Sequence, residues 1–399
     1  MVKRKVTVIG GGIAGLVASI AAAEGGAAVT LHEAHGILGG RARSTTGDYL
    51  ANHGPHAVYA DGAFWAWLKE RRLTPPVARA HLTGLRFRSG GRARRVPPAS
   101  AVRALALLRH DAPDDVDLYS WAASRSGAAV AATLASFCGV FTFDHDPGRL
   151  SAAFCIERAR RTSKMPPSAR FPIGGWTSLV DVLAARAREL GVQVALSSPV
   201  DQLPDTPVIV ATDLRAARKL LGDDSIRGTG TRTVLLDVGL VKRRSDPSIV
   251  SDLDEAGWIE RFSAQDPSLA PRGHSLLQAQ LGARDGEDLD GALQRVEQLF
   301  DETVPEWRER VVWRRRQLVT DSSGALDLPG TTWRDRPAID RGDGVFLAGD
   351  MVAAPGLLAE VAWASGVEAA SLAIRVPAVH GKTHANAASK APLQEVRLA

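Results

Sequence analysis

A glycine pattern directly after a predicted strand constrains the fold of this chain more than any other feature. Residues 5–9 (KVTVI) form a short β-branched run, and Gly10, Gly12 and Gly15 follow it as GxGxxG. Small and apolar residues then continue at helical spacing to Glu24. Glycines in this order permit a tight turn, close approach of the backbone to a pyrophosphate and close packing of the helix. We therefore predict a strand, a glycine turn and a helix whose N-terminus faces phosphate charge.

A second predicted strand completes a βαβ unit. Residues 27–32 (AAVTLH) are β-like and end next to Glu33. An acid at this position accepts hydrogen bonds from the adenosine ribose hydroxyls and repels a 2′-phosphate. The first 33 residues therefore predict dinucleotide binding, with FAD or NAD favoured over NADP.

The segment after Glu33 separates these two cofactors. Residues 33–41 (EAHGILGGR) resemble the E-x(5)-G-G-R extension of the flavin amine oxidase, phytoene desaturase and protoporphyrinogen oxidase superfamily. Adjacent Gly39 and Gly40 expose backbone amides, and Arg41 supplies a bidentate partner for phosphate. The resemblance implies that the cofactor is FAD.

The resemblance continues in two later segments. Residues 171–200 are similar to the family's Pro-x-Gly-Gly helix entry and to a strand ending in a valine that contacts adenine, which implies this role for Val200. Residues 344–370 are similar to its second FAD motif, in which a Gly-Asp pair meets the ribitol and pyrophosphate and the helix start meets the flavin ring. The cofactor-binding residues implied by all these matches are Gly10, Gly12, Ile13, Ala14, Gly15, Glu33, Ala34, Gly39, Gly40, Arg41, Gly54, Pro55, His56, Val200, Gly349, Asp350 and Val361.

Two weaker matches to phytoene desaturases and protoporphyrinogen oxidases lie at residues 52–56 (NHGPH) and 139–152. This chain has Asn52 where the family frequently has an acid, and it adds His53 and His56 in a loop that the family brings near the isoalloxazine. Either histidine is a candidate to bind substrate or to act as a base. Equally, both side chains can simply satisfy backbone groups, and the catalytic residues stay open.

The α/β pattern is interrupted twice, which predicts a Rossmann-like FAD-binding domain assembled from discontinuous segments with an inserted α+β substrate domain. The FAD-binding domain is predicted at residues 1–78, 171–228 and 336–376, and the substrate domain at 79–170 and 229–335. A hairpin is predicted around residues 89–91, where Gly90 and Gly91 favour a tight turn. Residues 377–399 are polar and without periodicity, which predicts a disordered tail.

Composition excludes several other classes of protein. The chain has 399 residues, is 45% hydrophobic and contains only two cysteines, Cys138 and Cys155. This composition excludes bulk disorder and a disulfide framework, and it favours a reduced, cytoplasmic setting. No GxSxG, Walker A, HExxH or Cys/His cluster occurs, so hydrolysis, phosphoryl transfer and a metal site have no support. Residues 126–143 lack charge but are rich in Ala, Gly, Ser and Thr, which predicts a buried helix.

Charge is unevenly distributed. The net charge is only +5, yet residues 71–110 contain ten arginines and no Asp or Glu. Such a stretch is either a solvated face paired with acids elsewhere or a contact for an anionic membrane surface or an acidic substrate. Nucleic acid is not expected, because no nucleic-acid-binding module is present.

Together these features predict an FAD-dependent oxidoreductase that dehydrogenates a bulky, largely apolar small molecule by hydride transfer to flavin N5. The expectation of an apolar substrate rests on the aromatic and Ala-rich sequence of the insertions, although most of those residues, including Trp258 and Trp307, are expected in the core. The alternatives are a flavin amine oxidase, a redox-neutral flavin isomerase or mutase, and a non-catalytic FAD-binding protein.

Overall fold

The computed structural model describes residues 3–54, 57–205, 207–321 and 324–377. Pro55, His56 and nearly all of the predicted tail lie outside these ranges. The strands are β1 (Lys5–Ile9), β2 (Ala28–His32), β3 (Val58–Tyr59), β4 (Val77–Arg79), β5 (Arg86–Arg88), β6 (Ala93–Arg94), β7 (Ala169–Pro172), β8 (Gln193–Ala195), β9 (Val208–Val210), β10 (Arg232–Val241), β11 (Ile249–Asp252), β12 (Trp258–Glu260), β13 (His274–Gly282), β14 (Val311–Thr320) and β15 (Val345–Leu347).

The α-helices are α1 (Ile13–Glu24), α2 (Ala63–Glu70), α3 (Ala99–Leu107), α4 (Leu118–Ser126), α5 (Ala128–Thr142), α6 (Ala152–Thr162), α7 (Trp176–Glu189), α8 (Leu214–Leu221), α9 (Phe262–Gln265), α10 (Leu289–Thr303), α11 (Trp307–Arg310) and α12 (Ala359–Ala373). Three short 3₁₀ turns supplement them within the described residues.

A five-stranded parallel sheet forms the nucleotide-binding region. Its order is β15-β9-β1-β2-β8, so its strands come from three separated parts of the chain, as predicted. β9 is buried along its whole length, which explains why it is a continuous apolar run rather than an alternating one. Helices α1 and α12 pack closely beside the sheet, and a Cβ on Gly366 of α12 would lie 2.6 Å from the Ala14 carbonyl oxygen of α1.

A seven-stranded mixed sheet forms the second layer, in the order β14-β10-β13-β12-β11-β5-β6. One face carries Val234, Leu236 and Val238, which are buried in a core that includes α10 residues. The predicted hairpin forms as β5 and β6, and β5 pairs in parallel with β11. The two insertions therefore share one sheet.

Several short strands of the structure were not predicted from the sequence. β11 and β12 are only four and three residues long and carry polar residues, so their alternation is too short to detect. The three-stranded sheet β3-β7-β4 was missed for the same reason. The predicted strands at residues 5–9 and 27–32 and the helix ending at Glu24 agree with β1, β2 and α1 to within one residue.

Helices α3–α6 form a separate helical layer. The predicted buried helix is α5, whose Leu134 and Cys138 are buried. Both cysteines are buried and unbridged. Across the described ranges, no helix combines the length and apolarity required to cross a membrane.

Candidate cofactor and active site

The three motif glycines are required for different reasons. Gly10 has φ +106°, and a Cβ there would lie 2.6 Å from the Ala211 carbonyl oxygen at the end of β9. A Cβ on Gly15 would lie 1.8 Å from the Gly10 carbonyl oxygen, so only glycine permits this packing of α1. At Gly12, by contrast, a Cβ would meet no protein atom within 4 Å, although this residue lines the central cavity. Gly12 therefore leaves space for a ligand.

Glu33 directly follows β2 and links the glycine turn to the next loop. Its Oε2 accepts a 2.7 Å hydrogen bond from the Gly11 N–H, and its Oε1 accepts one of 2.9 Å from the His35 N–H. Although burial opposes ionisation, these backbone donors and the His35 ring hold the pKa of Glu33 below its usual value. The carboxylate is thus ionised at neutral pH and lies on the cavity wall, suited to a ribose hydroxyl.

The glycine pair and arginine of the extension lie against the glycine turn. Gly39 donates its N–H to the Gly11 carbonyl oxygen at 2.8 Å and has φ +112°. Arg41 donates to both carboxylate oxygens of Asp350, at 2.7 and 2.8 Å, and to the Asp321 carbonyl oxygen at 2.6 Å. Because of Asp350, the pKa of Arg41 is raised. Two residues implied by separate motifs thus meet in the structure.

Most other predicted cofactor residues also lie on this wall. Ile13, Ala14, Ala34, Val200 and Gly349 line the same cavity. In addition, the Gly349 N–H donates to the Ser365 hydroxyl at 2.9 Å, which joins the second motif to α12.

Three of the predicted cofactor residues that the structure describes, Gly15, Gly54 and Val361, do not line the cavity. The Val361 side chain lies in the core, and its N–H donates to the Leu358 carbonyl oxygen. Its neighbours Leu358, Ala359 and Ala362 line the cavity instead. A Cβ on Gly54 would lie 2.9 Å from the Arg41 carbonyl oxygen, so this glycine permits close packing of the loop.

The loop at Asn52 is clamped by the seven-stranded sheet. Gln278 of β13 accepts from the Asn52 N–H at 3.0 Å and donates to its carbonyl oxygen at 3.0 Å. Arg315 of β14 donates to that same oxygen at 2.7 Å. The Asn52 side chain accepts from Ser44 and from the Trp176 N–H that begins α7, which gives this position a structural role.

His53 follows this clamp and lines the cavity. Burial, together with the positive charges of Arg315 and Arg43, lowers the pKa of His53 to about 4. The imidazole is therefore neutral at physiological pH, as a proton acceptor must be. His56, the other candidate, is outside the described residues, and the catalytic role of either histidine stays a prediction.

The cavity extends from the glycine turn to the seven-stranded sheet. Its volume is about 980 Å³, and motif residues and insertion residues line it continuously. The walls away from the glycine turn are mainly apolar. Their apolar and aromatic residues include Tyr59, Leu82, Leu85, Phe87, Leu105, Phe137, Val140, Phe143, Met165, Ile249, Trp258 and Val319, and their polar residues include Lys164, Ser251, Glu260 and Gln317.

Known protein families match the two regions that build this cavity. Residues 8–71 match the NAD(P)-binding Rossmann-like domain, and residues 231–374 match flavin containing amine oxidoreductase. Among curated proteins, no sequence matches this chain significantly.

Over these two regions the chain matches the flavin amine oxidase superfamily. The protein is an FAD-dependent oxidoreductase with FAD as its cofactor. The residues present fit this cofactor, because Gly12 leaves ligand space, α1 begins there, and an ionised carboxylate and a guanidinium share the same wall.

Solved structures share the fold of this flavoprotein. An oxidoreductase from Methanosarcina mazei superposes with a TM-score of 0.76 at 16% identity, covering 92% of this chain and 99% of that one. Cyclohexylamine oxidase from Brevibacterium oxydans has a TM-score of 0.68 at 14% identity, with 94% and 99% covered. A reduced UDP-galactopyranose mutase has a TM-score of 0.66 at 14% identity, with 92% and 95% covered. At these identities the likeness concerns the fold.

Sequence reasoning missed several cavity residues of the flavoprotein. Trp258 was expected in the core but lines the cavity, and Glu260 on the same strand was not considered. An acid within a buried strand would have been the only sequence signal for Glu260. β12 has only three residues, so its sequence does not show that it is a buried strand. Among the described residues, no group of His, Cys, Asp or Glu is arranged to hold a metal ion.

Proposed function

We propose that this flavoprotein dehydrogenates a bulky, largely apolar small molecule. The observation that carries the proposal is the continuity of one cavity between the FAD motifs and a large apolar wall. An apolar substrate is favoured there by the release of water from both surfaces. The aromatic side chains Phe87, Phe137 and Phe143 give this wall the breadth that a bulky molecule requires.

The reaction removes a hydride and a proton from neighbouring atoms of the substrate and leaves a double bond. Bound FAD supplies the two-electron acceptor at its N5 atom, and a second acceptor reoxidises it. The apolar wall orients the reacting C–H bond and excludes water. His53, neutral at physiological pH, is suited to receive the proton from the substrate.

We also propose that the predicted cofactor residues hold the dinucleotide in three groups. The glycine turn and Arg41 bind the pyrophosphate, Glu33 binds the adenosine ribose, and Gly349 with Asp350 binds the ribitol. The hydrogen bonds among Gly11, Glu33 and Gly39 support this arrangement because they pre-order the backbone before the ligand enters. The domain boundaries at residues 78, 170, 228 and 335 are part of the same proposal.

Anaerobic bleaching of the flavin absorption band by candidate substrates tests this function. We first expect FAD, rather than NAD, to be released from the purified protein by heat or acid. A product with one additional carbon–carbon double bond, formed with loss of flavin absorption, supports dehydrogenation of a carbon–carbon bond. Release of ammonia with hydrogen peroxide would favour the amine oxidase alternative, whereas an isomerised product without net reduction would favour the mutase-like alternative.

The arginine-rich stretch supports a peripheral contact with an anionic membrane. Arg103 lies on α3 beside exposed Val102 and Leu105, and Leu105 also lines the cavity. Not all arginines of the stretch are free, since Arg88 is buried against Asp252 and Glu302. Flotation with anionic and neutral liposomes tests the contact, because high salt weakens an electrostatic one. Equal flotation with both liposomes, or none, contradicts it.

A further inference from the structure

Glu260 is a buried carboxyl group in the apolar part of the cavity. The residue is 1% exposed, lies at the end of β12 and lines the cavity. Its side chain accepts a hydrogen bond from Gln265 Nε2. Within the described residues, no Arg, Lys or His forms an ion pair with it. A carboxyl group in such a position is costly unless something neutralises it.

Glu260 belongs to a row of side chains that pair across neighbouring strands, and no residue of this row balances its charge. Glu260 pairs with Gln278, Gln278 with Asp237, and Asp237 with Arg315, so the four side chains share one face of the sheet. Arg315 donates to Asp237 at 2.7 Å, and Gln278 donates to Asp237 at 2.9 Å. Arg315 thus pairs with Asp237, and Glu260 has no cationic partner in this row.

Two neutralising agents are available to a buried carboxyl group, a proton or a cation brought by a ligand. In the protein alone, burial raises the pKa of Glu260 well above its usual value, which favours the protonated, neutral carboxyl group. A ligand cation would displace this proton and form a charge-assisted hydrogen bond in a site of low dielectric.

Aromatic rings surround the same part of the cavity. Trp258 lies two residues before Glu260 and therefore on the same face of β12. Phe87 of β5, which is separated from β12 by β11, also lines the cavity. Tyr59 lines it too, with the Arg161 guanidinium over its ring at 5.4 Å from the ring centre. The faces of aromatic rings attract cations, and this attraction strengthens where water is excluded. A carboxyl group among aromatic rings is the chemistry that recognises an organic ammonium ion.

We propose that Glu260 is a specificity-determining residue that binds a protonated nitrogen of the substrate. The inference rests on the proposed dehydrogenation and refines its substrate to a bulky apolar body that carries one basic nitrogen. The nitrogen is a binding group, and the oxidised bond need not adjoin it.

Binding of two matched probes tests the inference without any turnover. Octylammonium and octan-1-ol differ in their polar group and share one chain length. Isothermal titration calorimetry on the FAD-loaded protein compares the wild type with Glu260→Gln and with the control Glu309→Gln, whose site is exposed. We expect Glu260→Gln to weaken octylammonium binding about tenfold or more and octan-1-ol binding less than about twofold. The control should bind both probes as the wild type does.

Proton release supplies a readout that needs no variant. Octylammonium binding to the wild type at neutral pH should expel the Glu260 proton, which calorimetry in buffers of different ionisation enthalpy detects. Tyr59 also faces Glu260, but burial raises the pKa of Tyr59, so its phenol stays protonated. The Asp237–Arg315 pair farther along the row is already neutralised internally. We expect octan-1-ol to release no proton.

Three results would overturn the inference. These are tighter binding of octan-1-ol than of octylammonium to the wild type, equal weakening of both probes in Glu260→Gln, and absence of proton release. If Glu260→Gln loses FAD or unfolds, the proton measurement on the wild type still decides. Because these titrations require no oxidation, their failure leaves the proposed dehydrogenation standing, and failure of flavin bleaching leaves the binding result standing.

Discussion

The two ends of the cavity differ in what forms their walls, which is mainly backbone at one end and side chains at the other. At the cofactor end, glycines and backbone groups from adjacent strands form the wall, and Glu33 serves to hold Gly11 and His35 in position. At the substrate end, the wall consists of side chains from β5, β11, β12 and β14, with Glu260 as a buried acid without an ion pair among the described residues. A binding site made from backbone tolerates little change, whereas one made from side chains can change its ligand while the fold persists.

The largest effect is expected at the tightest glycine. Gly15→Ala adds a Cβ that would lie 1.8 Å from the Gly10 carbonyl oxygen, so α1 must move away from the turn. We expect the free energy of unfolding to fall by about 3 kcal/mol or more, with loss of FAD. Urea unfolding and the flavin content of the purified protein measure both. Wild-type stability in this variant would contradict the conclusion that close backbone packing forms the cofactor end of the cavity.

Gly12→Ala tests the effect of this motif on FAD binding separately from its effect on stability. The added Cβ meets no protein atom within 4 Å, and the backbone φ of −74° suits alanine. We therefore expect stability to change by less than about 0.5 kcal/mol, while FAD affinity falls about tenfold or more because the methyl group occupies ligand space. Equilibrium dialysis with FAD measures the affinity. Normal FAD binding by this variant would contradict the proposed position of the pyrophosphate.

Glu33→Gln tests the charged link between the turn and its neighbouring loop. Because two backbone N–H groups donate to the carboxylate, we expect the variant to lose about 1–2 kcal/mol of unfolding free energy at neutral pH. The pKa of Glu33 is lowered in the folded state, so this stabilisation is present above the ordinary value of 4.5 and is lost as the pH falls through the folded pKa. Urea unfolding at several pH values between neutral pH and the folded pKa measures whether this stabilisation falls with pH. Glu189→Gln, at an exposed position, is the control.

The smallest effect is expected for His53→Gln, at the boundary between the two ends. The pKa of His53 is lowered from 6.5 to about 4, so the wild type loses stability as the pH falls from 6.5 towards 4, because the unfolded chain binds the proton first. The variant should lack this loss and should retain FAD, with a stability change under about 1 kcal/mol at neutral pH. Unfolding at several pH values measures it. A wild-type imidazole that titrates near 6.5 by NMR would refute the buried, neutral state.

The cofactor end was predictable because its residues recur at short spacings. The positions of Gly10, Gly12, Gly15 and Glu33 follow from one βαβ unit, and the structure confirms the strands and helix that carry them. Even here, the pairing of Arg41 with Asp350 required the tertiary structure, because the two residues belong to motifs far apart in the chain. Val361 shows the same limit, since the helix register turns its side chain into the core.

The sequence by itself determined the nucleotide-binding topology, the acid at the end of the second strand and the class of cofactor. These properties depend on local geometry, which a glycine, a β-branched run or a helical spacing specifies within a few residues. Only the tertiary structure decided that the two insertions share a sheet, that Gln278 and Arg315 clamp the His53 loop, and that Glu260 faces an apolar cavity. Those features depend on the register between strands distant in sequence, and a register is set by the packing of the whole sheet.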